Sequence, residues 1–192
     1  MRLVLASANP DKAREMAAIL AGHDLVLRPP GVPDVDETGE TLEENARLKA
    51  VALVEATGEA AVADDTGLEV AALGGAPGVH SARYAGEGAT YAANVAKLVG
   101  ELAGRTDRRA RFRTVALARF PDGSEIVAEG VVDGTILSSP RGDGGFGYDP
   151  VFVPDDGDGR TFAEMSPEDK NVMSHRGRAL RALDSRLGRP GR

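Results

Sequence analysis

The chain contains no cysteine, and that absence removes several kinds of chemistry at once. It excludes disulfide bonds, zinc sites built on thiolates and a cysteine nucleophile. No apolar run approaches the roughly 20 residues that a helix needs to span a bilayer. The amino terminus becomes polar too early for a signal peptide and instead predicts a first strand. We therefore expect a cytoplasmic protein without membrane contact.

Aromatic residues and lysines are also scarce. Aromatic residues make up 4% of the 192 residues, with no tryptophan, and only four lysines occur, at positions 12, 49, 97 and 170. Each ring and each lysine is therefore individually informative. The net charge of −7 argues against a nucleic-acid partner, which would favour a basic surface. It leaves open a small anionic ligand, because a pocket can be locally positive on an acidic protein.

The pattern of apolar residues and turn residues predicts an α/β fold in a single domain, 1–192, with two lobes. Strands are predicted at 2–7, 24–28, 60–64, 67–73, 110–119, 125–132 and 151–153, and helices at 10–21, 40–57, 89–103 and from 166 onward. Strand–helix units come first and a hairpin follows. We therefore expect a mixed, twisted sheet with flanking helices, and two lobes around a central cleft.

A glycine-rich loop with aromatic residues is the most informative segment. It carries Phe146, Gly147, Tyr148 and Asp149, and Lys170 follows about twenty residues later. An aromatic face offers a stacking surface for a base, and cations neutralise phosphate. The loop therefore predicts that the cleft binds a nucleotide.

Two further polar residues, His175 and Arg176, follow closely on Lys170. In an uninterrupted helix His175 would be rotated about 140° from Lys170, so the two side chains would not converge. We expect a break near Ser174 and a second helix over 175–187. That break would put His175 and Arg176 at a helix amino terminus.

A second polar segment follows the first predicted strand. It comprises Ser7, Ala8, Asn9, Pro10, Asp11 and Lys12. Asn9 and Pro10 are typical of a helix start, where free N–H groups and the helix dipole attract anions. The simpler interpretation is a capped helix with a surface lysine, because the glycines of a phosphate-binding loop are missing.

An acidic pair follows the third predicted strand. Asp64 and Asp65 come at the end of an apolar run, with Thr66 after them. Carboxylates in this position suit Mg²⁺, which takes one or two of them together with substrate phosphate oxygens. Since side chains alternate along a strand, we expect one carboxylate to face the cleft and the other to cap a turn. An acidic turn without function is the alternative.

A polar stripe lies on the predicted helix 40–57. Thr41, Asn45 and Lys49 share one helix face, and Glu37 precedes the helix. Such a stripe is often only the solvated side of a helix. The functional alternative is that Lys49 reaches phosphate and Glu37 reaches a metal.

Seven short segments, taken in their order along the chain, form a recognisable pattern. They are SANPDK, ETGETLEENARLKA, ADDTGLEV, LGGAPGVHSARYAG, GGFGYDPVF, FAEMS and KNVMSHRGRAL, which run from residue 7 to residue 180. Together they resemble the inosine/xanthosine triphosphate pyrophosphatase family. The resemblance covers nearly the whole chain. It implies hydrolysis of ITP, dITP and XTP to the nucleoside monophosphate and pyrophosphate, with Mg²⁺ as cofactor and a homodimer as assembly.

The resemblance also implies a role for each matching residue. The triphosphate would be held by Ser7, Asn9, Lys12 and Lys49. Glu37 and Asp65 would bind the metal, and Asp65 would accept the proton. The nucleoside end would be bound by Thr66, Phe146, Gly147, Tyr148, Asp149, Lys170, His175 and Arg176.

Two other functions remain possible at this level. A Maf-like nucleotide pyrophosphatase also begins with a Leu-Ala-Ser strand end and cleaves the same bond, with other base preferences. A nucleotide sensor without catalysis would use the same pocket, although binding alone does not need a general base. Nucleic-acid binding is disfavoured by the acidic charge and the few aromatic residues.

Overall fold

The computed structural model describes residues 1–188, so that 189–192 of the expected domain lie outside the described residues. The strands are β1 (Arg2–Leu5), β2 (Asp24–Leu27), β3 (Ala61–Val70), β4 (Pro77–Gly78), β5 (Arg109–Arg119), β6 (Glu125–Ile136) and β7 (Phe152–Pro154). The helices are α1 (Pro10–Ile19), α2 (Leu42–Thr57), α3 (Tyr91–Glu101), α4 (Pro167–Met173) and α5 (His175–Leu187). No helix within residues 1–188 combines the length and apolar character that crossing a membrane requires.

The strands form one mixed sheet, which confirms the predicted α/β class. Its order is β2-β1-β3-β5-β6-β7, and β4 pairs with β3. Strand β1 runs parallel to both β2 and β3, whereas β4 and β7 are antiparallel to their partners. Because β1 and β3 are parallel, with Leu5 opposite Val62, the polar residues that follow β1 lie at the same edge as the acidic pair of β3.

The chain divides into two compact units. The first contains residues 1–65, 114–130 and the chain from 175 onward; the second contains 66–113 and 131–174. Each has its own apolar core. The first core includes Leu3, Leu5, Met16, Leu180 and Leu183. The second includes Leu68, Leu98, Phe112, Phe152 and Phe162.

Local capping fixes the helix ends that the sequence predicts. Asn9 caps α1, with its side chain accepting from the N–H groups of Asp11 and Lys12. Thr41 and Glu44 form a capping box at α2, and Gly58 ends that helix in the left-handed region with a φ of 69°. These caps confirm the helix starts near residues 10 and 40 to within two residues.

The predicted interruption near Ser174 is also confirmed. Helix α4 ends at Met173, and Ser174 takes an extended conformation (φ −65°, ψ 158°) before α5 begins at His175. The chain therefore turns between Lys170 and His175 instead of continuing as one helix.

The prediction of two strands at 60–64 and 67–73 is wrong. A single strand, β3, continues through Asp64, Asp65 and Thr66, and residues 71–73 form a short 3-10 turn. Aspartate and glycine are typical of turns, which suggested a break here. The strand persists because both carboxylates have cationic partners in the folded chain.

The amino terminus of α5 approaches β6 unusually closely at Gly130. A methyl group there would stand 2.1 Å from the carbonyl oxygen of His175 and 2.4 Å from the nitrogen of Ala179. Both contacts are with backbone, which cannot rotate away. Gly130 therefore allows the first turn of α5 to lie against the sheet.

We predict that Gly130→Ala lowers the free energy of unfolding by about 1–3 kcal/mol, the usual cost of overpacking. Gly100→Ala in α3 is the matched control, because a methyl group there meets no atom within 4 Å. Alanine is the better helix former, so the control is expected to stabilise by up to about 1 kcal/mol. Urea unfolding measures both. Equal midpoints for the two variants would contradict this account of the α5–β6 contact.

Candidate active site

Asp64 is the centre of a buried ion-pair cluster in the first unit. Its Oδ2 accepts a hydrogen bond from Nε of Arg176 at 3.0 Å and lies 3.5 Å from Nζ of Lys12. The side chains of Asp64 and Arg176 are each only 1% exposed. Strand β3 thus binds the first turn of α5 and the first turn of α1 through one carboxylate.

Glu15 completes this cluster and was missed by the sequence analysis. Its carboxylate pairs with the guanidinium of Arg176. Glu15 lies three residues after Lys12 on α1, so the two share a helix face. That spacing is the signal in the sequence that could have indicated it.

The ion pairs shift the protonation equilibria of the cluster. Burial alone would raise the pKa of Asp64, but Lys12 and Arg176 outweigh it and hold the pKa well below its ordinary value. Burial lowers the pKa of Lys12, and the attraction of Asp64 offsets that only in part. The aspartate is therefore ionised at neutral pH.

Asp65 points to the opposite side of β3 and has its own partners. Nζ of Lys49 donates to Oδ1 of Asp65 at 2.9 Å and to Oε1 of Glu37 at 3.0 Å. The Nδ2 group of Asn45 donates to Oδ2 of Asp65 at 3.4 Å. Asn45 and Lys49 therefore do not form a solvated stripe, since both reach the strand.

The expectation that one aspartate caps a turn is wrong, because both carboxylates are ion-paired.

Burial and charge act in opposite directions at Asp65. Burial raises the pKa of Asp65, and the attraction of Lys49 and Lys12 reduces this rise without removing it. Burial would lower the pKa of Lys49, but Asp65, Asp64 and Glu37 outweigh it and raise the pKa. A carboxylate with a raised pKa is suited to accept a proton.

Glu37 and Asp65 are also the residues that could hold a divalent metal. Their oxygens converge on one ammonium, which shows that this position accepts a cation. No group of three or more histidine, aspartate or glutamate residues in metal-binding arrangement occurs among residues 1–188. Two carboxylates fit Mg²⁺ in its usual setting, where substrate phosphates and water supply the other oxygens.

The turn between β1 and α1 forms the capped helix start that the sequence predicts. The N–H of Asn9 donates to Oγ of Ser7 at 3.3 Å, and Ser7 donates to the carbonyl of Asn9 at 3.2 Å. The side chain of Asn9 already accepts from two N–H groups of the first helical turn. Of the remaining positions in the turn, Ala8 and Pro10 are exposed and Asp11 is half-buried.

The second unit contains the predicted nucleoside-binding loop. Oδ2 of Asp149 accepts from Nζ of Lys170 at 2.6 Å and from the N–H of Phe146 at 2.8 Å. The ammonium of Lys170 lies 4.5 Å from the centroid of the Phe146 ring. At Gly145 (φ 66°), a methyl group would stand 2.2 Å from Oδ2 of Asp149, so only glycine allows this loop.

The aromatic residues of this loop differ in exposure. Phe146 is half-buried beside a depression of ≈ 470 Å³ that Tyr91 and Gly147 also line. Tyr148 is only 4% exposed, and its hydroxyl donates to the carbonyl of Ser81 at 2.9 Å. Of the two rings that the loop carries, only that of Phe146 is therefore accessible for stacking.

The remaining predicted residues divide between the units. Thr66 is half-buried and belongs to the second unit. His175 is 3% exposed at the start of α5 in the first unit, next to Arg176. The first unit thus brings together cations, carboxylates and the capped turn, and the second brings together Phe146, Asp149 and Lys170.

Comparison with known proteins identifies close relatives. A model of the Ham1 family matches residues 3–186. The chain is 51% identical over 190 residues to the dITP/XTP pyrophosphatase of Streptomyces coelicolor, covering 95% of this chain and 94% of the relative. It is 50% identical over 196 residues to the dITP/XTP pyrophosphatase of Geobacter sulfurreducens, covering 99% and 98%.

Solved structures show the same similarity. A Ham1 protein from Coxiella burnetii superposes with a TM-score of 0.87 at 42% identity, covering 97% of this chain and 98% of that one. The Staphylococcus aureus Ham1 protein superposes with a TM-score of 0.86 at 41% identity, with the same coverage.

We predict that Asp64→Asn lowers the free energy of unfolding by about 3–5 kcal/mol, because it removes the carboxylate that pairs with both Lys12 and the buried Arg176 and leaves Arg176 with Glu15 alone. Asp133→Asn is the matched control. Asp133 pairs with Arg111 where both side chains are largely exposed, so its loss is expected to cost under about 1 kcal/mol. Urea unfolding of both variants measures the difference. A similar small loss in both would mean that the Asp64 cluster contributes no more than a surface pair.

Proposed function

The chain belongs to the Ham1 family, and we propose that it hydrolyses ITP, dITP and XTP to the nucleoside monophosphate and pyrophosphate. The observation that carries the proposal is its similarity, over nearly the full length of both chains, to relatives named dITP/XTP pyrophosphatase. The chemistry of the first unit supports it, because ion-paired carboxylates and two half-buried lysines, Lys12 and Lys49, suit water attack on a triphosphate.

In this proposal the first unit holds the triphosphate and performs the reaction. The triphosphate contacts the turn formed by Ser7, Ala8, Asn9, Pro10, Asp11 and Lys12, together with Lys49. Asp65 accepts a proton from the water that attacks the α-phosphorus, for which its raised pKa suits it. Lys12 and Lys49 stabilise the charge that develops on the departing pyrophosphate.

We propose Mg²⁺ as the metal, held by Glu37 and Asp65. When bound, it would neutralise phosphate charge and so lower the barrier to attack by water. The two carboxylates keep the position anionic, and Asn45 orients Asp65 through its second oxygen.

The nucleoside end is assigned to Thr66, Phe146, Gly147, Tyr148, Asp149 and Lys170, with His175 and Arg176 from the start of α5. Phe146 supplies the stacking face, and the Asp149–Lys170 pair holds its loop. Hypoxanthine and xanthine carry an oxygen at the six-position, where adenine carries an amino group. Donors at that edge satisfy the oxygen and leave the amino group unpaired, which costs about 1–3 kcal/mol per buried group.

Two further features belong to the proposal. The family resemblance implies a homodimer, and we propose that assembly. A cytoplasmic location follows from the substrate, since free nucleoside triphosphates occur there. The competing functions, a sensor without catalysis and a Maf-like enzyme with another base preference, are separated by the following experiment.

We expect fast release of pyrophosphate from ITP, dITP and XTP, with little from ATP and GTP, and loss of all release on addition of a chelator. A coupled pyrophosphate assay with each triphosphate measures this. Binding without release would indicate a sensor. Release that favours a pyrimidine or a common purine triphosphate would overturn the proposed base preference.

We expect Phe146→Ala to raise the KM for ITP about tenfold or more, because base stacking contributes about 1–3 kcal/mol. Phe146→Tyr is the matched control, since it keeps the flat ring and should keep the KM. Initial-rate kinetics on ITP compares the two. An unchanged KM in the alanine variant would remove Phe146 from base binding.

A further inference from the structure

Lys49 joins the two carboxylates that are proposed to bind the metal. Its Nζ lies 3.0 Å from Oε1 of Glu37 and 2.9 Å from Oδ1 of Asp65. The three side chains are largely buried, with 14% of Lys49, 26% of Glu37 and 6% of Asp65 exposed. These are charge-assisted hydrogen bonds of ordinary length, shielded from bulk water.

A divalent ion on Glu37 and Asp65 would compete with Lys49 for the same oxygens. Mg²⁺ binds carboxylate oxygens at about 2.0–2.1 Å, so it would take positions now turned toward the ammonium. Two like charges at such short range repel strongly where the surroundings are desolvated. Metal binding therefore requires the ammonium to move or to find another anionic partner.

We propose that the ammonium of Lys49 occupies the metal position when no nucleotide is bound, and that it thereby couples metal binding to nucleotide binding. Without nucleotide, its ammonium neutralises Glu37 and Asp65 and weakens their hold on a divalent ion. A triphosphate offers the ammonium new anionic partners, and its departure releases the carboxylates to the metal. This inference rests on the proposed function for the identity of the metal ligands.

The surroundings of Lys49 suit such an exchange. Its ammonium is a point charge on a flexible four-carbon chain, whereas an arginine would be held in a fixed fork. Helix α2 itself is anchored by its capping box, and Asn45 hydrogen-bonds Asp65 from the same helix face. The carboxylate therefore keeps one partner when the ammonium leaves.

The direct test is the affinity for Mn²⁺ alone, which shares the oxygen preference of Mg²⁺, measured by calorimetry on the full chain without nucleotide. We expect Lys49→Met to bind Mn²⁺ about tenfold more tightly than the unaltered protein, a factor equivalent to about 1.4 kcal/mol. Lys97→Met is the matched control, because Lys97 is exposed and pairs with Glu101 on α3. It makes the same change in net charge and should leave the affinity unchanged. Equal or weaker binding by Lys49→Met would overturn the proposal.

Three further variants make the result specific. Lys49→Arg keeps the charge and should bind Mn²⁺ as weakly as the unaltered protein. If it binds Mn²⁺ as tightly as Lys49→Met does, the shape of the lysine side chain matters and not its charge, which would overturn the proposal. Glu37→Gln should weaken Mn²⁺ binding, and unchanged binding would place the ion elsewhere, which also overturns it. If Lys49→Met does not fold, as judged by circular dichroism, Lys49→Gln replaces it with the same expected direction.

The coupling itself is measured with an α,β-imido analogue of ITP, which cannot be cleaved between those phosphates. In the unaltered protein, Mn²⁺ should tighten binding of the analogue, and the analogue should tighten binding of Mn²⁺ by the same factor. In Lys49→Met that factor should be smaller, because only direct contact between the metal and the phosphates then couples the two ligands; an undiminished factor would overturn the proposal. The arm with Mn²⁺ alone needs no substrate, so failure of pyrophosphate release from ITP would count against the proposed function and not against this inference.

Discussion

Two adjacent carboxylates on one strand hold the first unit of this protein together. Because side chains alternate along β3, Asp64 and Asp65 reach opposite sides of the strand. Asp64 pairs with Lys12 of α1 and Arg176 of α5, whereas Asp65 pairs with Lys49 of α2. Buried charges are costly unless they are paired, so each of these helices must lie where its cation can meet the strand.

The same constraint explains how two adjacent aspartates can differ in role, one suited to the fold and the other to the proposed reaction. The cluster around Asp64 is buried, and its pKa shifts favour a permanently ionised aspartate. Burial raises the pKa of Asp65, although the ammonium of Lys49 lies 2.9 Å from its Oδ1. One aspartate therefore suits a structural role and its neighbour a reactive one. The difference arises from their partners, since their positions in the sequence are adjacent.

Local signals predicted much of this fold. Asn9, Thr41 and Gly58 mark helix ends by their own side chains or backbone. The break at Ser174 was predicted because an uninterrupted helix would hold His175 about 140° away from Lys170. The continuity of β3 could not be predicted in this way. It depends on partners distant in the sequence, such as Arg176, 112 residues from Asp64. Glu15 was missed for the same reason, because its partner Arg176 lies 161 residues away.

The central claim is that the first unit directs water to the α-phosphorus of a purine triphosphate. Hydrolysis of ITP in water enriched in ¹⁸O, with mass spectrometry of both products, tests it most directly. We expect the label in the monophosphate and none in the pyrophosphate. Label in pyrophosphate would show attack at the β-phosphorus, and label in orthophosphate would show loss of the terminal group; either result would contradict the account.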